Sequence, residues 1–399
     1  IGGKGIAERK VTEIITPGTA LESEYLDGKV NNFLAAFCVT PKGCGFAFID
    51  VTTSAFMATS FPASSLAENF SKELSRVLPR ELLLPSSLKN NESVQNALSF
   101  YTEMAVSYYP DWDFNLEFSY KKLCRQFSTS NLKSFSLIES SPEVVPAGFL
   151  LDYLEKTTNS KIPHIKEIKI FKDEQYLMID DSSRRNLEIV SNLRDGSKNF
   201  SLFECVDFTK TAMGSRLLRS WLLYPLVDIK KINARLSNVE YFVNESLLRE
   251  KLSFILSNIL DIERLASRIS IEKAHPKDLV ALKQSLNEVF KIEKEISSSN
   301  IHFSDLSDAK MIAELIEKSI LDEPSTQITD GGIIKPLWSE ELDRLRKIHD
   351  NFDSILSDYE EEEKKNTGIS NLKIKYTKAF GYYIEVSKGK LASVPSHFI

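Results

Sequence analysis

The chain is poor in cysteine, with Cys38, Cys44, Cys124 and Cys205 the only four in 399 residues. No Cys-x-x-Cys pair exists and no histidine stands close to any of them, so their spacing excludes a zinc site of the usual kind. A disulfide scaffold does not suit so long a chain, and buried free thiols in a reducing cytoplasm are expected. The five histidines, His164, His275, His302, His349 and His397, are scattered without a His-Glu-x-x-His motif and read as lone exposed imidazoles. The phosphate-cradling pattern G-x-x-x-x-G-K-[S/T] is missing, because Gly389-Lys390 lacks both the upstream glycine and the following hydroxyl. G-x-G-x-x-G and G-x-S-x-G are missing as well. No apolar run approaches the roughly 18 residues of a membrane span. Among the longest is "WLLYPLV" (221–227), which Pro225 interrupts. A formal charge of −6 excludes a globally basic nucleic-acid coat but leaves room for local basic patches.

What is present is an ordinary globular composition, 42% hydrophobic and 27% charged, over a length that suits roughly two to four domains. The chain opens "IGGKGIAERKVTEIITPGT" without methionine or a signal pattern and stops at "VPSHFI" without a helical stop signal, so it reads as a piece of a longer protein. Residues 33–61 carry apolar runs flanking "TPKGCG" and "DVTTS", which predicts a three-strand antiparallel meander. Leu66, Phe70, Leu74 and Leu78 recur at helical spacing, "ELLLP" (81–85) reads as a buried strand, and 86–105 reads as a further helix. The order β-β-β-α-β-α suggests a mixed sheet covered by helices. The polar stretch "NSKIPHIKEIKIFKDEQ" then reads as a linker.

From about 176 to 321 strand patterns nearly vanish. Met213, Leu217, Leu218 and Trp221 share one helical stripe, and Asp228 can cap a helix whose stripe is Ile232, Leu236, Val239, Phe242 and Val243. These stripes are expected to be core. After the turn-rich "TDGGIIKPLW", Ser339 can cap one long helix over 340–367, about 42 Å at 1.5 Å per residue, that ends at Gly368. Its apolar face would be Leu342, Leu345, Phe352, Ile355, Leu356 and Tyr359, and "EEEE" (360–363) a solvated acidic face. A ribbon follows. Leu372, Ile374 and Tyr376 alternate with Lys373, Lys375 and Thr377, and Tyr382, Ile384 and Val386 alternate with Tyr383, Glu385 and Ser387. One face is thus apolar and the other basic, a geometry suited to a polyanion.

One carboxylate invites a catalytic reading. Asp50 ends a strand of the meander, where some nucleases place a metal ligand, but Asp111, Asp113 and Asp152 offer no evident convergence with it. A strand-end turn aspartate is the competing reading.

Several strings run collinearly along nearly the whole chain and resemble the MutS family of DNA mismatch-repair proteins. They include "VTEIITPGT" (11–19), "GFAFIDVTTSAF" (45–56), "TAMGSRLLRSWLLYPL" (211–226), "DIERLASRIS" (261–270), "DGGIIKP" (330–336) and "NTGISNLKIKYTKAFGYYIEVSK" (366–388). The resemblance implies a multidomain fold: residues 1–13 as the tail of a mismatch-recognition domain and 14–160 as an α/β ribonuclease-H-like connector. It further implies a linker over 161–175, an all-α core or lever domain over 176–349, and a partial β-rich clamp over 350–399. For the full-length protein it implies mismatched double-stranded DNA as substrate, ATP and Mg²⁺ as cofactors, a homodimer, and recruitment of the MutL protein. The chain itself carries neither the mismatch-reading Phe-x-Glu motif nor ATPase motifs, so no enzyme activity, cofactor or metal site is expected in it. Lys373, Lys375, Lys378 and Lys388 are the expected DNA-backbone contacts. Two alternatives stand beside this: a lever and MutL-docking section without DNA affinity of its own, and a metal-dependent nuclease using Asp50.

Overall fold

A computed structural model describes residues 11–21, 26–159, 161–171, 175–297, 304–378, 381–395 and 398. Residues 1–10, His302 and His397 lie outside the described residues. The chain forms two units, residues 1–317 with 325–331 and residues 318–324 with 332–399.

The first unit opens on a six-stranded sheet. The expected meander is β1 (Leu34–Thr40), β2 (Gly43–Asp50) and β3 (Ala55–Phe61), paired antiparallel in sequence order. Helix α1 (Leu66–Val77) leads to β4 (Glu81–Pro85), which lies parallel to β1. Helix α2 (Glu92–Leu98) is shorter than the helix read over 86–105. Asn91 caps it by accepting from Val94 N, and residues 105–109 leave the helix to form β5 (Ala105–Tyr109), parallel to β4. Two more helices follow, α3 (Leu116–Gln126) and α4 (Val144–Thr158). They approach so closely that a Cβ on Gly148 would stand 2.4 Å from the Ser119 Cα, so this position needs glycine.

The stretch read as a linker is fastened to the sheet instead. Ile162, Ile165 and Ile168 are buried in the core, Gln126 Nε2 donates to the Ile162 and Ile165 carbonyls, and β6 (Lys169–Ile170) pairs parallel to β3. Its polar residues hid an isoleucine at every third position. The strand order is β5-β4-β1-β2-β3-β6. Alternate residues of β1 and β2 enter two cores: Leu34, Ala36, Ala47 and Ile49 face α3 and α4, while Ala35, Phe37, Phe46 and Phe48 face α1 and α2. Burial on both faces explains why these strands read as nearly continuous apolar runs.

Helices dominate the remainder of this unit. Short α5 (Asp181–Asn186) and α6 (Leu202–Val206) precede α7 (Ala212–Leu223), whose first turn is capped by Thr211 accepting from Gly214 N. Helix α8 (Ile229–Asn244) begins at Asp228, which accepts from Lys230 N and Lys231 N. Then come α9 (Ser246–Leu256), α10 (Ile262–Ser270), α11 (Pro276–Ile296) and α12 (Ser307–Ser319). Leu252, Ile255, Ile259, Ile292 and Ile296 make their core, with Met213 and Phe242 packed against it. The two expected stripes are only partly core. Leu217 and Trp221 on α7 are exposed, and so are Leu236, Val239 and Val243 on α8, a helix with no buried residue.

The second unit starts with an antiparallel bridge, Ile320 to Ile334. The single helix expected over 340–367 is two, α13 (Glu340–Asp350) and α14 (Phe352–Thr367). Between them Asn351 sits at φ −100° and ψ 14°, yet it keeps bonds to Lys347 O and from Ile355 N, so the break is one residue wide. His349, Asp350 and Asn351 are weak helix formers, the polar ones competing locally for backbone groups. Ser339 caps α13, and Gly368, at φ +70°, ends α14 in the left-handed conformation. Strands β7 (Lys373–Thr377) and β8 (Gly381–Glu385) close the unit as an antiparallel ribbon.

Candidate nucleic-acid interface

The ribbon's register fixes what each face carries. Ile374 pairs with Ile384 and Tyr376 with Tyr382, while Lys373 opposes Glu385 and Lys375 opposes Tyr383. The apolar face is anchored on α14. The Tyr376 and Tyr382 ring centroids are 4.8 Å apart, and Tyr382 lies 5.3 Å from Phe352. Ile369 and Leu372, which lead into β7, are fully buried. Glu360 fastens the two elements, its carboxylate accepting from Ile374 N at 3.0 Å and from Lys364 Nζ at 2.6 Å. The hydrogen bond from Lys364, with that from Ile374, holds the Glu360 carboxyl below its usual range.

On the other face the lysines are not equivalent. Lys373 and Lys378 are exposed, the latter at the turn, and Lys388 is exposed beyond β8. Lys375 is bonded to Glu385 at 2.5 Å, which raises its pKa through the hydrogen bond and the opposite charge. Part of the cationic face is therefore already neutralised. The pairing is diagonal across the two strands, and reading them as separate alternating runs did not reveal it.

Asp50 is held by hydrogen bonds within the chain. It is fully buried, and its oxygens accept from Asn31 Nδ2 (2.9 Å), Asn32 N (3.1 Å), Thr52 N (2.9 Å) and Thr52 Oγ1 (2.6 Å). Four donors fill its lone-pair directions. Asp111 accepts from Ser87 N, and Asp152 is bonded to Lys122 and Lys156. Among the described residues no group of three or more His, Cys, Asp or Glu side chains could hold a metal ion. Asp50 organises the β2–β3 turn.

That turn belongs to a junction the sequence did not announce. Arg264 of α10 donates from Nε to Thr52 Oγ1 and from its Nη atoms to the Asp27 and Val30 carbonyls. Arg216 of α7 is bidentate to Asp261 (2.7 and 2.8 Å), bonds Glu263 at 2.6 Å and donates to Gly28 O. Burial works against the Arg216 charge, but the bonds it donates to Asp261 and Glu263 outweigh it and raise its pKa. Asp207, beside this junction, accepts from Lys29 Nζ (2.8 Å) and Ser215 Oγ (2.9 Å). Its desolvation is overcome by the Lys29, Thr209 and Ser215 bonds, and the carboxyl is lowered to about 2.

The residues depart from expectation in smaller ways too. Cys38 and Cys44 are buried, burial pushing the Cys44 thiol up to about 11, but Cys205 is exposed. His164 is partly buried rather than exposed and bonds the Val51 carbonyl at 2.8 Å; burial lowers its pKa against the opposing effect of that bond. No helix among the described residues is long and apolar enough to cross a membrane.

A six-stranded mixed sheet followed by a run of helices defines a class of α/β-plus-helical proteins, and comparison with known sequences narrows it. The family model for MutS domain II matches residues 32–166 and that for MutS domain III matches residues 182–378. The DNA mismatch repair protein MutS of Treponema denticola is 44% identical over 99% of this chain and 46% of its own length. Those of Treponema pallidum strain Nichols and Desulfatibacillum aliphaticivorans are 39% and 35% identical, over 99% of this chain and 45% of theirs. The chain belongs to the MutS family. It spans about half the length of the curated relatives it matches.

Proposed function

We propose that this chain is a section of a DNA mismatch-repair protein that holds duplex DNA by its backbone and relays nucleotide state between DNA-binding and ATPase parts of the full-length protein. In this reading residues 14–160 are a ribonuclease-H-like connector, 176–349 the core or lever, and 350–399 the start of a clamp. The full-length protein is a cytoplasmic homodimer that uses ATP and Mg²⁺ and recruits MutL. Lys373, Lys378 and Lys388 act as phosphate-neutralising cations, with Lys375 joining them when its pairing with Glu385 yields. Such contacts carry no base information and weaken as salt rises.

The observation that carries the reading is the register of the ribbon, which gathers Lys373 and Lys375 on one face while the other is packed on α14. Fluorescence anisotropy of a labelled homoduplex and a mismatched duplex tests it. Equal affinity for both is expected, and a preference for the mismatch, or no binding at low salt, overturns it. One observation favours the second reading, a docking and relay section without DNA affinity: Glu385 neutralises Lys375, and the acidic run 360–363 adjoins the ribbon through Glu360.

A further inference from the structure

A cavity of about 470 Å³ lies within the first unit, where the sheet's β3–β6 edge meets the end of α1 and helices α7 and α8. That size is typical of a site for a small organic ligand. Its described lining contains five cationic residues and no acidic one, although the chain as a whole carries a charge of −6.

Four of the five cations are engaged. Arg216 is tied to Asp261 and Glu263, and Lys169 to Glu167 at 2.9 Å. Arg76 bonds Glu73 and lies 5.5 Å from the ring centroids of both Phe171 and Tyr224. Arg235 lies over the Trp221 ring at 3.8 Å. Arg219, by contrast, has no hydrogen-bond or ion-pair partner among the described residues. Burial lowers its pKa to about 10, with nearby Asp27 favouring the charge and Arg80 opposing it. Arg219 is half-buried, and a guanidinium whose planar set of donors meets no protein acceptor is open to an anion. Around it the walls are flat and aromatic: Trp221 on one helix, and Phe171 and Tyr224 in edge contact at 5.0 Å.

We propose that this cavity binds a small aromatic anion, its ring against Trp221 and Tyr224 and its anionic group on Arg219. Nucleoside monophosphates and aromatic carboxylates both have this chemistry. The site is separate from the ribbon, and the inference does not depend on the DNA-holding reading.

The test uses the whole 399-residue chain carrying Trp112→Phe and Trp338→Phe, which leaves Trp221 as the only fluorophore of its kind. Ligand-observed saturation-transfer NMR and quenching of Trp221 are measured with adenosine 5′-monophosphate and with 2-naphthoate, the two arms separating the sources. Adenosine and inorganic phosphate serve as the ring-only and anion-only probes. Saturable binding of at least one aromatic anion below about 1 mM is expected, with adenosine and phosphate each at least about tenfold weaker. Arg219→Gln is expected to weaken it by about tenfold and Arg219→Lys, which keeps the charge but not the planar fork of donors, to weaken it less, both folded by circular dichroism. Failure of both aromatic anions to bind, or binding that Arg219→Gln leaves unchanged, overturns the proposal.

Discussion

Asp50 shows how far a single residue can be judged from its neighbours in the chain. Its place at a strand end was legible in "FIDVTTS", but its donors Asn31 and Asn32 come from before β1, and Arg264 reaches the same turn from 212 residues away. No local pattern announces an arginine whose partners are backbone carbonyls 234 and 237 residues distant. Asp50→Ala leaves four donors facing a void and is expected to cost about 3 kcal/mol in urea unfolding, a loss that Mg²⁺ neither deepens nor relieves. Asp207 makes a pH prediction. Its folded pKa of about 2 lies below the ordinary 3.8, so it contributes stability above pH 3.8 that is lost as pH falls toward 2. Asp207→Asn should remove about 1 kcal/mol at neutral pH and flatten the stability curve between those values, as acid titration of the unfolding midpoint will show. On the ribbon, Glu385→Gln frees Lys375 and should steepen the salt dependence of DNA binding by about one phosphate's worth. An unchanged slope would mean that Lys375 meets no phosphate.

Among the elements, β1 to β4 were legible because strands buried on both faces spell themselves in Phe, Val, Ile and Leu. The capped helices were legible because Asp228 and Ser339 are cap residues standing before helical stripes. Strand β5 was not, since "AVSYY" follows a helical stretch without a turn signal, and β6, two residues long, is too short to carry a pattern. The stretch around β6 offers a clean test. Ile165→Ala is expected to destabilise the first unit by about 2–4 kcal/mol, as for any core isoleucine, where a true linker position would change by less than about 0.5 kcal/mol. The broken helix teaches the converse lesson. Amphipathic spacing runs unbroken through Asn351, and only the weak propensities of His349, Asp350 and Asn351 hinted at the interruption. Spacing likewise could not tell that Leu236, Val239 and Val243 stay exposed, because a stripe shows that a helix has an apolar face and not what covers it.

At the scale of the whole molecule, net charge and local charge point in opposite directions. An acidic chain presents Lys373 and Lys378 exposed on the ribbon of the second unit, while Arg216 and Arg264, which clamp the sheet and helices of the first unit, are paired with Asp261, Glu263 and backbone carbonyls. If the ribbon holds a DNA backbone, affinity must follow the number of phosphates it neutralises and ignore the base sequence. The most direct measurement is the slope of log binding constant against log salt concentration, for the unaltered chain and for Lys373→Glu/Lys378→Glu. With two to three phosphates engaged, a slope of about −2 to −3 is predicted, reduced by about two in the variant and alike on homoduplex and mismatched DNA. A slope that charge reversal leaves unchanged would contradict the account.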